Sequence, residues 1–311
     1  MHPAFSVIFF TTLSGAGYGW MVWIGISALW KYAVGAAIEP MYSLALPLLF
    51  ALILVSLGLL SSTLHLGKPM RAWRAFSQWR SSWLSREGVM ALATYVPAVG
   101  LMLPAVRESS PAMPILLSVA LIVCALITVG CTAMIYASLK PIPAWRHPLV
   151  VPVYVAFALL SGAIVFCVAT PNPPIDGVGA AIKAVVVLAP LTAALKLLYW
   201  RSIDRTGLGL SRGDAVGLPD RELSVFERPH TEDNYLTREM GYVLARKHAR
   251  KLRRIAVLLF AALPTAAALA ALVSGSVLAP MAVAAVSVAL GVLVERWLFF
   301  AQARHMVTLY Y

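Results

Sequence analysis

Apolar residues run through this chain in long blocks separated by shorter polar stretches. Eight blocks stand out, at about 5–31, 43–65, 88–106, 112–137, 149–170, 179–200, 255–277 and 280–303. Each is close to the ~20 residues a helix needs to cross the hydrocarbon layer of a bilayer. A segment surrounded by lipid has no water to bond, so its backbone must satisfy its own N–H and C=O groups. The pattern therefore predicts an all-α fold: a polytopic membrane protein of eight transmembrane helices, with residues 1–311 forming a single domain. No basic region precedes the first block, which is also too long for a signal peptide, so it reads as an uncleaved first span. Gly15, Gly17, Gly58, Ser61, Ser62, Gly162 and Gly291 are small enough to let helices pack closely. Pro97, Pro190 and Pro264 fall inside blocks and are expected to kink them.

The polar stretches alternate in charge. Segments 66–87, 138–148 and 201–254 are basic; the first carries Lys68, Arg71, Arg74, Arg80 and Arg86, the second Lys140 and Arg146. Segments 32–42, 107–111 and 171–178 add little beyond Arg107. The positive-inside rule then puts the three basic loops and both termini in the cytoplasm. The 201–254 loop opens glycine-rich and tightens at Thr231-Glu232-Asp233-Asn234-Tyr235-Leu236. Thr231 is a candidate N-cap, and the helix it starts should run through Arg246, Lys247, Arg250 and Lys251 into the seventh span. A loop this long is either a docking surface for a soluble partner or a solvated connector.

Composition agrees with the pattern. The chain is 60% hydrophobic and 12% charged, about half the charged fraction of a soluble domain. Its net charge of +12 would suggest nucleic acid in a soluble protein. Here it belongs to loops that meet lipid headgroups or a partner. Cys124, Cys131 and Cys167 have neither CxxC nor metal-ligand spacing and read as small apolar filler.

Few groups could carry chemistry. A membrane haem held by two imidazoles needs histidines facing each other inside spans. Of His2, His65, His147, His230, His248 and His305, only His65 sits at a span end. No CxxCH and no cluster of acids is present, so neither c-type haem nor a bound metal is expected. His65 has two readings: an interfacial histidine with its tip among headgroups, or a quinone ligand. A neutral imidazole can bond a quinone carbonyl or take a hydroxyl proton near neutral pH. Ser61 and Ser62 lie one turn back on nearly the same face.

Glu87 likewise has two readings: an acid favoured by the dipole at the start of the third span, or a proton relay beside the quinone. Tyr95 lies eight residues on, roughly on the Glu87 face. Glu295-Arg296 reads as a structural or interfacial pair, and Lys183 and Lys196 as snorkelling cations.

Four segments together resemble the DmsC family of membrane anchor subunits of molybdopterin oxidoreductases. They are Met1-His2-Pro3-Ala4-Phe5-Ser6-Val7-Ile8-Phe9-Phe10-Thr11-Thr12, Leu64-His65-Leu66-Gly67-Lys68-Pro69, Ser82-Trp83-Leu84-Ser85-Arg86-Glu87 and Thr231-Glu232-Asp233-Asn234-Tyr235-Leu236. The resemblance spans essentially the whole chain and implies a membrane-anchor domain of eight helices in a three-part complex. A catalytic subunit would carry molybdopterin and an electron-transfer subunit iron–sulfur clusters. The anchor, without haem of its own, would exchange electrons with quinone (ubiquinone or menaquinone). By this resemblance His65 matches the quinone-site histidine and Glu87 an acid tied to the same site. Arg71, Trp83, Arg86 and Tyr95 extend the candidate quinone-binding set.

The resemblance covers two branches. Dimethyl sulfoxide reductases oxidise quinol, usually with catalytic subunits facing the periplasm. Sulfite dehydrogenases of the Soe type have cytoplasmic catalytic subunits and reduce quinone. The charge bias of the loops favours the sulfite branch, in the inner membrane of a bacterium. A transporter would call for discontinuous helices and charges near the bilayer midplane, and neither is clear in the sequence. Two further rivals are a haem-bearing anchor and an anchor without quinone chemistry.

Overall fold

A computed structural model describes residues 4–35, 42–64, 66–107, 110–169, 175–224, 226–227 and 244–310. Among them the chain forms eight long helices and no strand. They are α1 (Phe5–Ala33), α2 (Tyr42–Thr63), α3 (Trp83–Met102), α4 (Ala112–Ala137), α5 (Val150–Ala169) and α6 (Ile175–Thr206). Helix α7 runs Leu244–Val257, continues through a π-helical turn at Leu258–Ala262 and finishes as Leu263–Ser274; α8 is Leu278–Ala301. Seven of these are long and apolar enough to cross a membrane. The remaining one, α3, has 20 residues but carries Ser85, Arg86 and Glu87 near its start, which lowers its hydropathy. The chain is a multi-pass membrane protein, as its hydropathy pattern predicts.

The first helix is the centre of the bundle. It packs against α2, α4, α5 and α8, while α3 lies outside on α4 and α2, and α6 and α7 close the far flank. Helices α1 and α5 touch backbone to backbone: a Cβ on Gly19 would overlap the Ala158 carbonyl, and one on Gly162 would overlap the Gly19–Trp20 peptide. Lipid tails are as apolar as side chains, so helices in a membrane gain from such close dispersion contact rather than from hydrophobic burial. Gly162 is one of the small residues expected at helix contacts. Gly15 has no neighbour near its Cα face, so no tight packing depends on it.

The prolines act differently from one another. Helices α3 and α6 run through Pro97 and Pro190 without a break. Pro264 follows the π turn of α7. Proline takes away the N–H that a carbonyl one turn earlier would use, and a wider turn lets the ladder skip it.

The start of α1 and residues 306–310 lie at the same end of the bundle as the described basic segments. The Ser61 hydroxyl donates to the Ser6 carbonyl (3.1 Å), joining the end of α2 to the start of α1. The Met306 N–H donates to the Pro141 carbonyl (2.9 Å), and the Tyr310 hydroxyl to the Ala215 carbonyl (3.0 Å). These bonds tie the C-terminal segment to the 138–149 loop and to the stretch after α6. Helix α6 itself continues to Thr206, so the opening residues of the 201–254 loop are helical. A short helix at Arg212–Ala215 follows, capped reciprocally by Ser211 and Asp214. The Ser211 N–H and hydroxyl hold the Asp214 carboxyl below the usual carboxylate range. The expected N-cap at Thr231 lies outside the described residues; the basic helix entering the seventh span is present from Leu244.

Candidate functional site

Residues Pro69–Gln78 form a 3-10 helix that lies against the start of α3. Two side chains of α3 hold it there, and a glycine makes room for it. Ser85 donates to the Ala75 carbonyl. Arg86 donates from Nε to the Trp79 carbonyl (3.1 Å) and from Nη2 to the Arg80 carbonyl (2.6 Å). Gly88 leaves room for the Phe76 ring. The outer face of the segment is exposed and carries Met70, Arg71, Trp73 and Arg74. Its cations stack on neighbouring rings: Arg74 on Trp73 (5.6 Å), Arg80 on Trp79 (5.6 Å) and Arg86 on Trp83 (4.3 Å). Tryptophan beside arginine suits a membrane boundary, where rings meet acyl chains and cations meet phosphates.

Glu87 sits just inside this surface. It is the fifth residue of α3, past the first turn, and 4% exposed. Its carboxylate accepts a hydrogen bond from the Thr132 hydroxyl of α4. Two turns deeper, the Thr94 and Thr128 hydroxyls meet across the same seam at 3.3 Å. Tyr95 turns the other way, toward α2, where its hydroxyl bonds Ser56 at 2.7 Å. Glu87 and Tyr95 thus face different neighbours.

Thr132 also lines a cavity of about 10 Å³ shared with Thr11, Tyr18, Tyr154, Ser161 and Arg296, the space of one water molecule. The Tyr18 hydroxyl and Arg296 Nη1 are buried at this end of the bundle with no hydrogen-bond partner among the described residues. A site this small with polar walls suits an ordered water. Beyond it, Arg296 lies over the Tyr154 ring (3.7 Å) and approaches Glu295 (3.6 Å), and Glu295 pairs with Lys196 of α6.

Lys196 therefore does not snorkel: it is 1% exposed, and its ammonium is held by Glu295 and by the Tyr199 ring (4.1 Å). Glu295 and Arg296 form a deep structural cluster rather than an interfacial pair, with 0% and 2% exposure. Unpaired charges are too costly in a bundle interior, and a partner from another helix removes most of that cost. Lys183 is exposed.

An aromatic cluster roofs this interior below the 138–149 loop. Tyr136 meets Trp145 (5.4 Å), Phe300 (5.3 Å) and Phe299 (5.7 Å). The Trp145 indole N–H donates to the Phe299 carbonyl (3.0 Å). In the same loop His147 accepts from the Leu149 N–H through Nδ1 (3.2 Å) and bonds the Ser202 hydroxyl through Nε2 (2.9 Å). Burial, with a smaller contribution from the Lys196 charge, holds His147 below the usual imidazole range. In the sequence His147 is an ordinary loop histidine, and nothing beside it signals this anchoring role.

Of the six residues singled out for quinone, the structure brings Trp83, Arg86 and Glu87 together at the start of α3. It sets Tyr95 on the α2 side of that helix and leaves Arg71 on the outer face of the 3-10 segment. His65 lies outside the described residues. Among the described residues, no group of three His, Cys, Asp or Glu side chains could hold a metal ion.

These features define a helical membrane protein with one basic, aromatic end and a polar interior opening behind it. Residues 1–302 match the family model described as DMSO reductase anchor subunit (DmsC), and the chain belongs to that family. It is 32% identical over 327 residues to the C subunit of the sulfite dehydrogenase of Allochromatium vinosum, covering 100% of this chain and 99% of the relative. It is also 31% identical over 94 residues to the C subunit of the anaerobic dimethyl sulfoxide reductase of Escherichia coli, covering 30% of this chain and 33% of that one.

Proposed function

We propose that this chain is the quinone-reactive membrane anchor of a sulfite-oxidising complex. Its partners would be an electron-transfer subunit carrying iron–sulfur clusters and a catalytic subunit carrying molybdopterin. The observation that carries the sulfite branch is the full-length likeness to a sulfite dehydrogenase C subunit. The membrane would be the inner membrane of a bacterium, with the basic end of the bundle in the cytoplasm, following the positive-inside rule.

The reaction sets what the anchor must do. Sulfite gains one oxygen from water to become sulfate, giving up two electrons and two protons at the catalytic subunit. Quinone takes up two electrons and two protons in the membrane. The basic loops would hold the electron-transfer subunit, whose iron–sulfur clusters would supply the electrons. The quinone ring enters sideways from lipid at the α2–α3 seam. His65 and Glu87 would handle its protons, Glu87 from inside the α3–α4 seam, where the Thr132 hydroxyl fixes its carboxyl. Tyr95 lines the inner wall, while Arg71, Trp83 and Arg86 form the rim. The anchor does no chemistry on sulfite.

The second reading is the anchor of a dimethyl sulfoxide reductase, favoured by the description of the family model. It uses the same site in reverse, with Glu87 and His65 taking protons from menaquinol.

The test is a mild-detergent pull-down of the tagged chain, assayed with both substrates. Sulfite-dependent quinone reduction supports the first reading; quinol-dependent reduction of dimethyl sulfoxide supports the second. Recovery of no molybdenum or iron–sulfur subunit would overturn both. Glu87→Gln should cut quinone-linked turnover by about 100-fold if Glu87 handles a proton.

A further inference from the structure

At the basic end of the bundle a groove of about 740 Å³ runs between α6 and α7. Its two walls are matched ladders. On α6, Leu197, Arg201 and Arg205 are spaced four apart and share a helix face. On α7, Ala262, Leu258 and Arg254 repeat the order in the opposite chain direction. Both ladders are apolar toward the membrane interior and cationic toward the basic end. The π turn at Leu258–Ala262 forms part of the second wall.

The charges in the groove are not balanced from within. Its one acid, Asp204, is taken by Arg253, which donates to both carboxylate oxygens (2.5 and 2.9 Å). Arg253 is fixed further by Gln302 (3.0 Å) and by the Trp200 ring (5.3 Å). Arg201, Arg205 and Arg254 remain exposed, with no hydrogen bond or ion pair to any described residue. Three free guanidinium groups therefore sit above an apolar floor open to lipid.

We propose that this groove binds an anionic phospholipid. The arginines would take the headgroup phosphate and the floor of Leu197, Leu258 and Ala262 an acyl chain. Guanidinium groups match phosphate oxygens in bidentate geometry. Basic pockets between transmembrane helices are suited to acidic headgroups. A soluble protein partner would meet the arginines but would leave the apolar floor uncovered. The site is independent of the quinone reading and of the direction of electron flow.

The test is native mass spectrometry of the full chain in detergent, titrated with phosphatidylglycerol or phosphatidylcholine. The wild type should retain phosphatidylglycerol preferentially, with each arginine worth about a fivefold preference. The R201Q/R205Q/R254Q variant should bind the two lipids equally. Leu258→Trp should lower binding of both by filling the floor while keeping the cations, and size-exclusion elution reports whether each variant is folded. Equal binding of the two lipids by the wild type overturns the proposal, as does an undiminished preference in the triple variant. Displacement by inorganic phosphate with no dependence on acyl chains would make this a phosphate site and overturn the lipid assignment. Loss of a protein partner from the triple variant, with lipid preference unchanged, would make it a protein-docking surface instead.

Discussion

The Lys196 ammonium and the Glu295 carboxylate pair inside the bundle, with 1% and 0% of their side chains exposed. They come from helices far apart in sequence, and the Arg296 guanidinium shares the same carboxylate. Glu295 is the shared partner, so removing it should strand two buried cations at once. Glu295→Leu is expected to lose about 3–5 kcal/mol of stability or more, whereas Lys196→Met, which leaves the carboxylate to Arg296, should lose less. Thermal denaturation in detergent for both variants checks this. A Lys196→Met variant as unstable as Glu295→Leu would show that Arg296 does not share the carboxylate.

Glu87 is held by a hydrogen bond from a neighbouring helix, through the Thr132 hydroxyl. Thr132→Val keeps the shape of the side chain and removes the donor, at a cost of about 1–3 kcal/mol for a buried group left unpaired. If Glu87 serves the quinone, Thr132→Val should also lower turnover with less effect than Glu87→Gln. Steady-state rates at several quinone concentrations separate a turnover effect from a binding effect.

Arg86 holds the 3-10 segment by bonding two carbonyls at its end. Arg86→Gln should loosen Pro69–Gln78 and speed tryptic cleavage at Arg71 or Arg74. Arg71→Gln, with no such bonds, should leave the cleavage rate at Arg74 unchanged. Limited proteolysis followed by mass spectrometry reads both.

The depressed affinity of His147 for a proton gives a pH dependence of known sign. The folded protein favours the neutral ring, so its contribution is complete above the ordinary imidazole value near 6.5. It is lost as pH falls from there through the lower folded value. The melting temperature should therefore drop as pH falls below about 6.5. His147→Asn keeps an acceptor for the Leu149 N–H but does not titrate, and should flatten that drop. An unchanged slope would assign it to other groups, His305 among them, whose ring burial also lowers.

The eight helices can be read from hydropathy because each block has one use for its apolar residues. Their ends are less legible. Block 88–106 begins after Glu87, since a carboxylate reads as the edge of a span; in the structure the Thr132 hydroxyl donates to it inside the bundle, and α3 begins at Trp83. Block 179–200 stops at Arg201, whereas α6 continues helical to Thr206 beyond the apolar stretch. Lys196 misleads for the same reason. A lone lysine near a span end normally reaches for water, and nothing local reveals that Glu295 waits on the last helix. Charges within apolar blocks are the available signal, and Lys196, Glu295 and Arg296 need pairing with each other rather than with the nearest surface. The Ser56–Tyr95 and Thr94–Thr128 bonds have no signal, because serine and threonine also bond their own helix backbone.

The contact between Gly19 and Gly162 has a consequence for how the chain is made. The first helix leaves the ribosome long before the fifth, yet its glycine face is covered only by later helices. Until α4, α5 and α8 emerge, the cavity that Tyr18, Thr11 and Ser14 line is not closed. The newly inserted first helix must therefore wait, shielded by the insertion machinery or by α2 alone. Lengthening the delay before α5 is synthesised should expose the nascent chain to quality-control proteolysis.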